Sequence, residues 1–105
     1  TGRLVVLDTG AATCSVGSDI ITKVVASCWD TLKAAPRLIA MPDVPEPTSF
    51  ALTKGFYIWG SEIAKSIVDL CCNERDDIYE QINRQPQLKE PVPHDVPGPW
   101  FSGPF

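Results

Sequence analysis

Residues 36–47 read Pro-Arg-Leu-Ile-Ala-Met-Pro-Asp-Val-Pro-Glu-Pro, the most informative stretch of the chain. Its apolar run, residues 38–41, is typical of a strand that is covered on both faces of a sheet. The prolines that follow can continue neither a helix nor a sheet ladder, so the strand ends in a rigid turn. We call residues 42–47 the proline corner. Because loops at strand ends often carry function, its candidate structural or interface residues are Asp43, Pro45 and Pro47.

Asp43 has two possible roles in the corner. An aspartate between prolines most often accepts hydrogen bonds from backbone N–H groups in a turn, and this is the favoured interpretation. The alternative is an ion pair, either at an interface or at the end of the strand. Arg37, at the start of the same strand, is the basic residue that we expect to pair with Asp43 in that case.

A similar apolar run at residues 4–7 predicts a first strand that ends at Asp8. From Ser18 to about Lys33 the apolar residues recur at helical spacing. Either Gly17 or Ser18 is expected to cap this helix, and capping is favoured over anion binding at its free N–H groups. Strand, helix and strand with short links form a βαβ unit, whose strands are parallel and whose crossover is right-handed.

The rest of the chain predicts more helix and then an arm. A short helix over residues 49–54 should end at Gly55, and a longer amphipathic helix should begin at Ser61, with an outward pair of Lys65 and Asp69. Six prolines fall from Pro86 onward, which is typical of an extended segment. We therefore divide the chain into an α/β segment over residues 1–72, a surface helix over 73–85 and a proline- and glycine-rich arm over 86–105. Trp100, in the arm, is a candidate interface anchor.

The predicted sheet is too small to be covered. Two parallel strands with two or three helices cannot supply a helical layer on both faces. We therefore expect an incomplete α/β domain, whose sheet is completed by another chain or by further sequence.

Composition excludes several classes of protein. The net charge of −4 argues against nucleic acid, whose binding proteins cluster Lys and Arg. No apolar run approaches the roughly 18 residues that would span a membrane, and no signal peptide is visible.

The cysteines predict thiols rather than a metal site. Cys14, Cys28, Cys71 and Cys72 form no C-x-x-C pair, and His94 is distant from all of them in the sequence. We expect Cys28 and Cys71 to lie on the apolar faces of helices, as small hydrophobic residues. Reduced thiols of this kind are typical of the cytoplasm, or of the mitochondrial matrix in a eukaryote.

An ordered set of short features runs through residues 2–70. A strand ending at an aspartate is followed by a loop of small residues and a glycine that opens a helix. An Ala-Pro and a basic residue then lead into a second strand, the proline corner, an apolar leucine, an aromatic patch and a final helix. The positions are Leu4 to Asp8, Thr9 to Val16, Gly17, Ala35-Pro36-Arg37, Asp43 to Pro47, Leu52, Phe56-Tyr57 and Glu62 to Leu70.

This set resembles the second half of the transketolase C-terminal domain, most closely the version in the E1 β subunit of 2-oxo acid dehydrogenases. The resemblance implies that thiamine diphosphate and magnesium are held by two other domains of a parent enzyme. No catalytic, cofactor-binding or metal-binding residue is therefore expected in this chain. The implied role is association with other subunits in an oligomer, and docking of an acyltransferase core. Thr9, Ala11 and Ala12 depart from the family, which carries acidic and basic side chains in this loop.

Two other functions remain possible on the sequence. The chain could be a stand-alone interaction module whose arm, rich in Trp and Pro, makes the contact.

Alternatively, Asp8-Thr9-Gly10 carries the Asp-Thr-Gly motif of dimeric aspartic proteases, in which two such aspartates share one proton. Against the protease, only seven residues precede Asp8, and residues 18–33 have a helical period where strands and a flap are needed.

Overall fold

Two parallel strands and a helix that joins them form the centre of the molecule. The computed structural model describes residues 1–71, 75–86 and 102. Strand β1 spans Val5–Ala11 and helix α1 spans Val16–Cys28. A single 3₁₀ turn, Trp29–Thr31, leads to strand β2 at Arg37–Met41. The two strands pair in parallel, which confirms the predicted βαβ unit.

Three further helices follow the proline corner. Helix α2 spans Phe50–Thr53, α3 spans Gly60–Cys71 and α4 spans Asp76–Asn83. Gly55 ends the α2 region with a φ of 72°, a left-handed conformation that glycine adopts without strain. Of the predicted arm, the structure describes only Pro86 and Ser102, so Trp100 lies outside the described residues.

Strand β1 is longer than the sequence predicts. It continues past Asp8 to Ala11, and its pairing with β2 shifts from Leu7 opposite Ile39 to Ala11 opposite Met41. More residues of β1 than of β2 therefore lie between these two pairs, as in a β-bulge. Asp8 stabilises the irregular segment, because its Oδ1 accepts a hydrogen bond from Gly10 N at 2.9 Å.

Helix α1 begins and ends earlier than predicted. Ser15, and not Gly17 or Ser18, is its N-cap, and Ser15 Oγ accepts from Ser18 N at 3.0 Å. Gly17 is buried, and a Cβ on it would lie 2.6 Å from Leu38 Cδ1. Its role is therefore the close packing of helix on sheet. The helix stops at Cys28 and tightens into the 3₁₀ turn instead of running to residue 33.

Asp69 on α3 ties three elements together. It accepts hydrogen bonds from Arg37 Nη1 at 2.9 Å, from Arg75 Nη1 at 3.2 Å and from the Tyr79 hydroxyl. These contacts join the start of β2 to α3 and α4. Two predictions are thereby wrong, since Arg37 pairs with Asp69 rather than Asp43, and Asp69 has these partners rather than the predicted Lys65.

The apolar core is very small. Among the described residues, only Leu70 and Ile82 are buried large hydrophobic side chains. Leu7, Val16 and Trp29 are more than half exposed, at 54%, 73% and 66%. The expected burial of two cysteines is also wrong, because Cys28 and Cys71 are exposed, as is Cys14. The observed α/β fold is thus that of a partial domain with little core of its own.

Candidate functional site

The proline corner is bound to the loop that follows β1. Asp43 Oδ1 accepts from Thr13 N at 2.8 Å, and Oδ2 accepts from the Thr13 hydroxyl at 2.6 Å. A backbone bond from Ala12 N to Met41 O at 3.0 Å runs alongside. The Thr13 hydroxyl, followed by its backbone N–H, lowers the pKa of Asp43. We call this contact the Asp43–Thr13 clamp.

The clamp shows which groups Asp43 binds within the chain. The carboxylate accepts a backbone N–H, as the turn interpretation predicts, although its donor lies in the other loop and not in the corner itself. The corner makes its own tight turn through Val44 N and Pro42 O, 2.8 Å apart. Pro45 is exposed and Pro47 is half-buried.

Asp8 joins the end of β1 to the start of α1. Its Oδ2 accepts from Gly17 N at 2.8 Å, while Oδ1 accepts from Gly10 N. The N–H of Gly10, followed by that of Gly17, lowers the pKa of Asp8. An aspartic protease needs strands and a flap over residues 18–33, and the structure has α1 there. Asp8 therefore acts as a structural acceptor, in a fold that lacks the protease's strands and flap at residues 18–28.

An apolar groove opens at the carboxyl ends of the two strands. Its volume is about 500 Å³, and it lies between the strand ends, the proline corner and the segment that leads into α3. Most of its walls are apolar side chains, with a few polar groups among them. The lining residues are Leu7, Asp8, Thr9, Ala11, Met41, Pro42, Val44, Glu46, Phe56, Tyr57, Ile58 and Ile63.

Glu46 and Tyr57 supply a polar pair in this groove. The Tyr57 hydroxyl donates a hydrogen bond to Glu46, and this bond raises the pKa of Tyr57. The Phe56 and Tyr57 rings meet edge to face, with centroids 5.3 Å apart. Sequence reasoning found the aromatic patch and the corner separately. It missed the groove because no periodicity indicates that two loops remote in the sequence share one cavity.

The residue directly before α3, Trp59, carries an unsatisfied donor. Glu62 Oε2 accepts from Trp59 N at 3.0 Å, which caps the helix. The indole Nε1 of Trp59, in contrast, is buried without an acceptor among the described residues. Buried donors without a partner are rare in folded proteins.

The carboxylates near the strand ends are not free ligands. Asp8 and Asp43 are both engaged by N–H and hydroxyl donors of the chain itself, so a cation would have to displace them. Magnesium takes oxygen ligands in an octahedral arrangement. Within the described residues, no three Asp, Glu, His or Cys side chains lie together as a metal site. His94 and Asp95 fall outside the described residues.

A family model confirms the class of protein that this architecture defines. The model "Transketolase, C-terminal domain" matches residues 1–63, which include both strands, α1, the proline corner and α2. Because the match covers more than half of the chain, the protein belongs to the transketolase C-terminal domain family. No curated protein and no solved structure matches the chain. Separately, no helix in the described residues is both long and apolar enough to cross a membrane.

Proposed function

We propose that this chain is part of a thiamine diphosphate-dependent enzyme of the 2-oxo acid dehydrogenase E1 β type, where it serves subunit association and partner docking. The observation that carries the proposal is the small core. Leu70 and Ile82 are the only large apolar side chains buried in the described residues, while eight others are exposed. A domain with so little internal burial needs a neighbour to be stable.

The exposed apolar side chains indicate where association would bury the most apolar surface and so contribute the most binding free energy. Leu7 on β1, Val16 and Ile20 on α1, and Val44 in the corner are each 42% exposed or more. Full burial of one such side chain contributes about 1.5–3 kcal/mol. Both strands also have one edge without a partner in the described sheet, and an edge of this kind accepts a further strand.

Acidic groups near the groove support a basic docking partner. Asp8 and Glu46 both line the groove, and the whole chain has a net charge of −4. A basic module, such as the subunit-binding part of an acyltransferase core, would be steered toward this face. We expect its association rate to fall as the salt concentration rises, because screening shortens the range of the attraction.

In this proposal the chain does not itself hold the cofactor. The engaged state of Asp8 and Asp43 supports this division, since neither carboxylate is available without breaking a loop contact. Calorimetric titration with thiamine diphosphate and magnesium tests it. Saturable binding to this chain alone would contradict the proposed division of roles.

Association is tested by light scattering after size exclusion, together with thermal unfolding at several protein concentrations. We expect oligomers and a Tm that rises with concentration, because covering the apolar side chains stabilises the folded state. The matched variants are Val16→Asp, on the exposed face of α1, and Ser27→Asp, at an exposed polar position of the same helix. Only Val16→Asp should weaken association. A monomer whose Tm is independent of concentration would instead favour the stand-alone module.

A further inference from the structure

The groove at the strand ends exposes apolar and aromatic side chains to water. Leu7 and Val44 line it and are 54% and 58% exposed. Phe56 and Tyr57 present an aromatic wall beside them. Grooves with aromatic walls bind proline-rich segments well, because such segments are already extended and lose little conformational entropy.

The chain contains a segment with matching chemistry. Residues 97–105 read Pro-Gly-Pro-Trp-Phe-Ser-Gly-Pro-Phe, so a third of them are aromatic, against 9% of the whole chain. They carry no charged side chain, which suits an apolar groove that already contains Asp8 and Glu46. Apart from Ser102, they lie outside the part of the chain that the structure describes.

The segment can reach the groove from where α4 ends. Contacts of Tyr79 and Arg37 with Asp69 hold α4 near the start of β2. One lining residue of the groove, Met41, lies four residues, or about 13 Å, along β2 from Arg37. Trp100 lies fourteen positions after Pro86, and in an extended polyproline conformation this length of chain spans about 43 Å. The connection is therefore long enough within a single molecule.

We propose that residues 97–105 of the same chain occupy this groove, with Trp100 and Phe101 against its apolar wall. The Glu46 carboxylate, which accepts from Tyr57, has capacity to accept a further bond from the Trp100 indole N–H. The groove would then be covered by the chain itself until a partner displaces the segment. This proposal goes beyond subunit association and does not depend on it.

Nuclear magnetic resonance of the ¹⁵N-labelled full chain tests the contact from the segment's side. The double variant Trp100→Ala/Phe101→Ala changes no residue of the described strands or helices, so we expect those elements to stay folded. We expect the amide resonances of Val44, Tyr57 and Ile58 to shift, while that of Leu52, which does not line the groove, stays in place. Unchanged resonances at all three groove residues would overturn the proposal.

A second experiment tests whether the groove residues protect Trp100. It follows the indole resonance of Trp100, which is identified by its loss in Trp100→Phe. A soluble nitroxide should broaden this resonance little in the parent chain and strongly in Val44→Asp. Leu52→Asp places the same charge at an exposed apolar position outside the groove and should have no effect. Equal broadening in the parent chain and Val44→Asp would overturn the contact. Protection that disappears on dilution would overturn its assignment to a single molecule.

Discussion

Gly17 shows how one residue sets the distance between helix and sheet. Its backbone N–H donates to Asp8, and its missing side chain leaves room for Leu38. The resemblance identified this glycine as the residue that opens a helix. The structure gives it a different role, because Ser15 caps the helix and Gly17 allows the helix to lie close to the strands.

Replacing Gly17 by alanine should destabilise the fold by about 1–3 kcal/mol through overpacking. The added Cβ would lie 2.6 Å from Leu38 Cδ1 and 3.1 Å from Asp8 Oδ2, so the helix has to move away from the strands. Urea unfolding measures the change, with Ser27→Ala as the control on an exposed position of α1. Adding Leu38→Val should recover part of the loss. A Gly17→Ala protein as stable as the parent would contradict the close-packing role.

Acid should weaken the fold through Asp8, Asp43 and Asp69. Hydrogen bonds lower the pKa of each carboxyl in the folded state, relative to about 3.9 in an unfolded chain. Their contribution is therefore fully present above pH 3.9 and is lost as the pH falls through the folded values. We expect the free energy of unfolding to drop in that range, and to drop less in Asp43→Asn.

The control for this pH series is Asp30→Asn. Asp30 lies in the exposed 3₁₀ turn and takes part in none of the hydrogen bonds that hold the loops together. Its variant should follow the parent curve at every pH. If Asp43→Asn and Asp30→Asn had the same profile, the Asp43–Thr13 clamp would not be a source of the acid sensitivity.

Among the strands and helices, the sequence predicted which elements exist better than it predicted where each one begins and ends. Periodicity located both strands, α1 and α3, and the proline corner gave the end of β2. Periodicity could not give the end of β1, because the bulge depends on a hydrogen bond from Gly10 N to the Asp8 side chain. The clamp likewise joins two loops thirty positions apart in the sequence, and no local pattern carries that information.

The Asp69 contacts make the attachment of α4 testable. In Tyr79→Phe the hydroxyl that binds Asp69 is lost, so α4 should open more often and its amide hydrogens should exchange faster. Exchange in α1, which does not touch this contact, should not change. Mass spectrometry of exchanged peptides from residues 76–83 measures the effect.

Arg84→Gln is the matched control on the same helix. It removes an ion pair with Glu80, but both side chains of that pair are at least 70% exposed, and such pairs contribute little. Its exchange rates should match those of the parent chain. Equal exchange of α4 in Tyr79→Phe and Arg84→Gln would mean that Asp69 does not anchor the helix.

At the scale of the whole molecule, the small core makes stability depend on very few side chains. Leu70 on α3 is one of two buried large hydrophobic residues in the described chain. Leu70→Ala should cost about 2–5 kcal/mol, since it removes buried methyl groups and leaves a cavity. Ile67→Ala on the same helix is the control, because Ile67 is 45% exposed. Circular dichroism during urea unfolding should show a large loss for the first and a small one for the second.

The family could be predicted from the order of features along the chain, but the need for a neighbour had to be inferred from strand number alone. The structure supports that inference with exposed apolar side chains. The prediction that Cys28 and Cys71 are buried was wrong because this neighbouring layer is missing. A helical face that is apolar in sequence is buried only if another layer is present to cover it.

Cys14 gives the Asp43–Thr13 clamp a built-in chemical reporter. It directly follows Thr13, it is exposed, and its φ of 57° belongs to the loop that the clamp holds in place. A fluorescent maleimide on this thiol, with Cys28, Cys71 and Cys72 replaced by serine, would sit beside the contact without occupying it. Its anisotropy would then reveal in real time whether a docking partner pulls the two loops apart or finds them already joined.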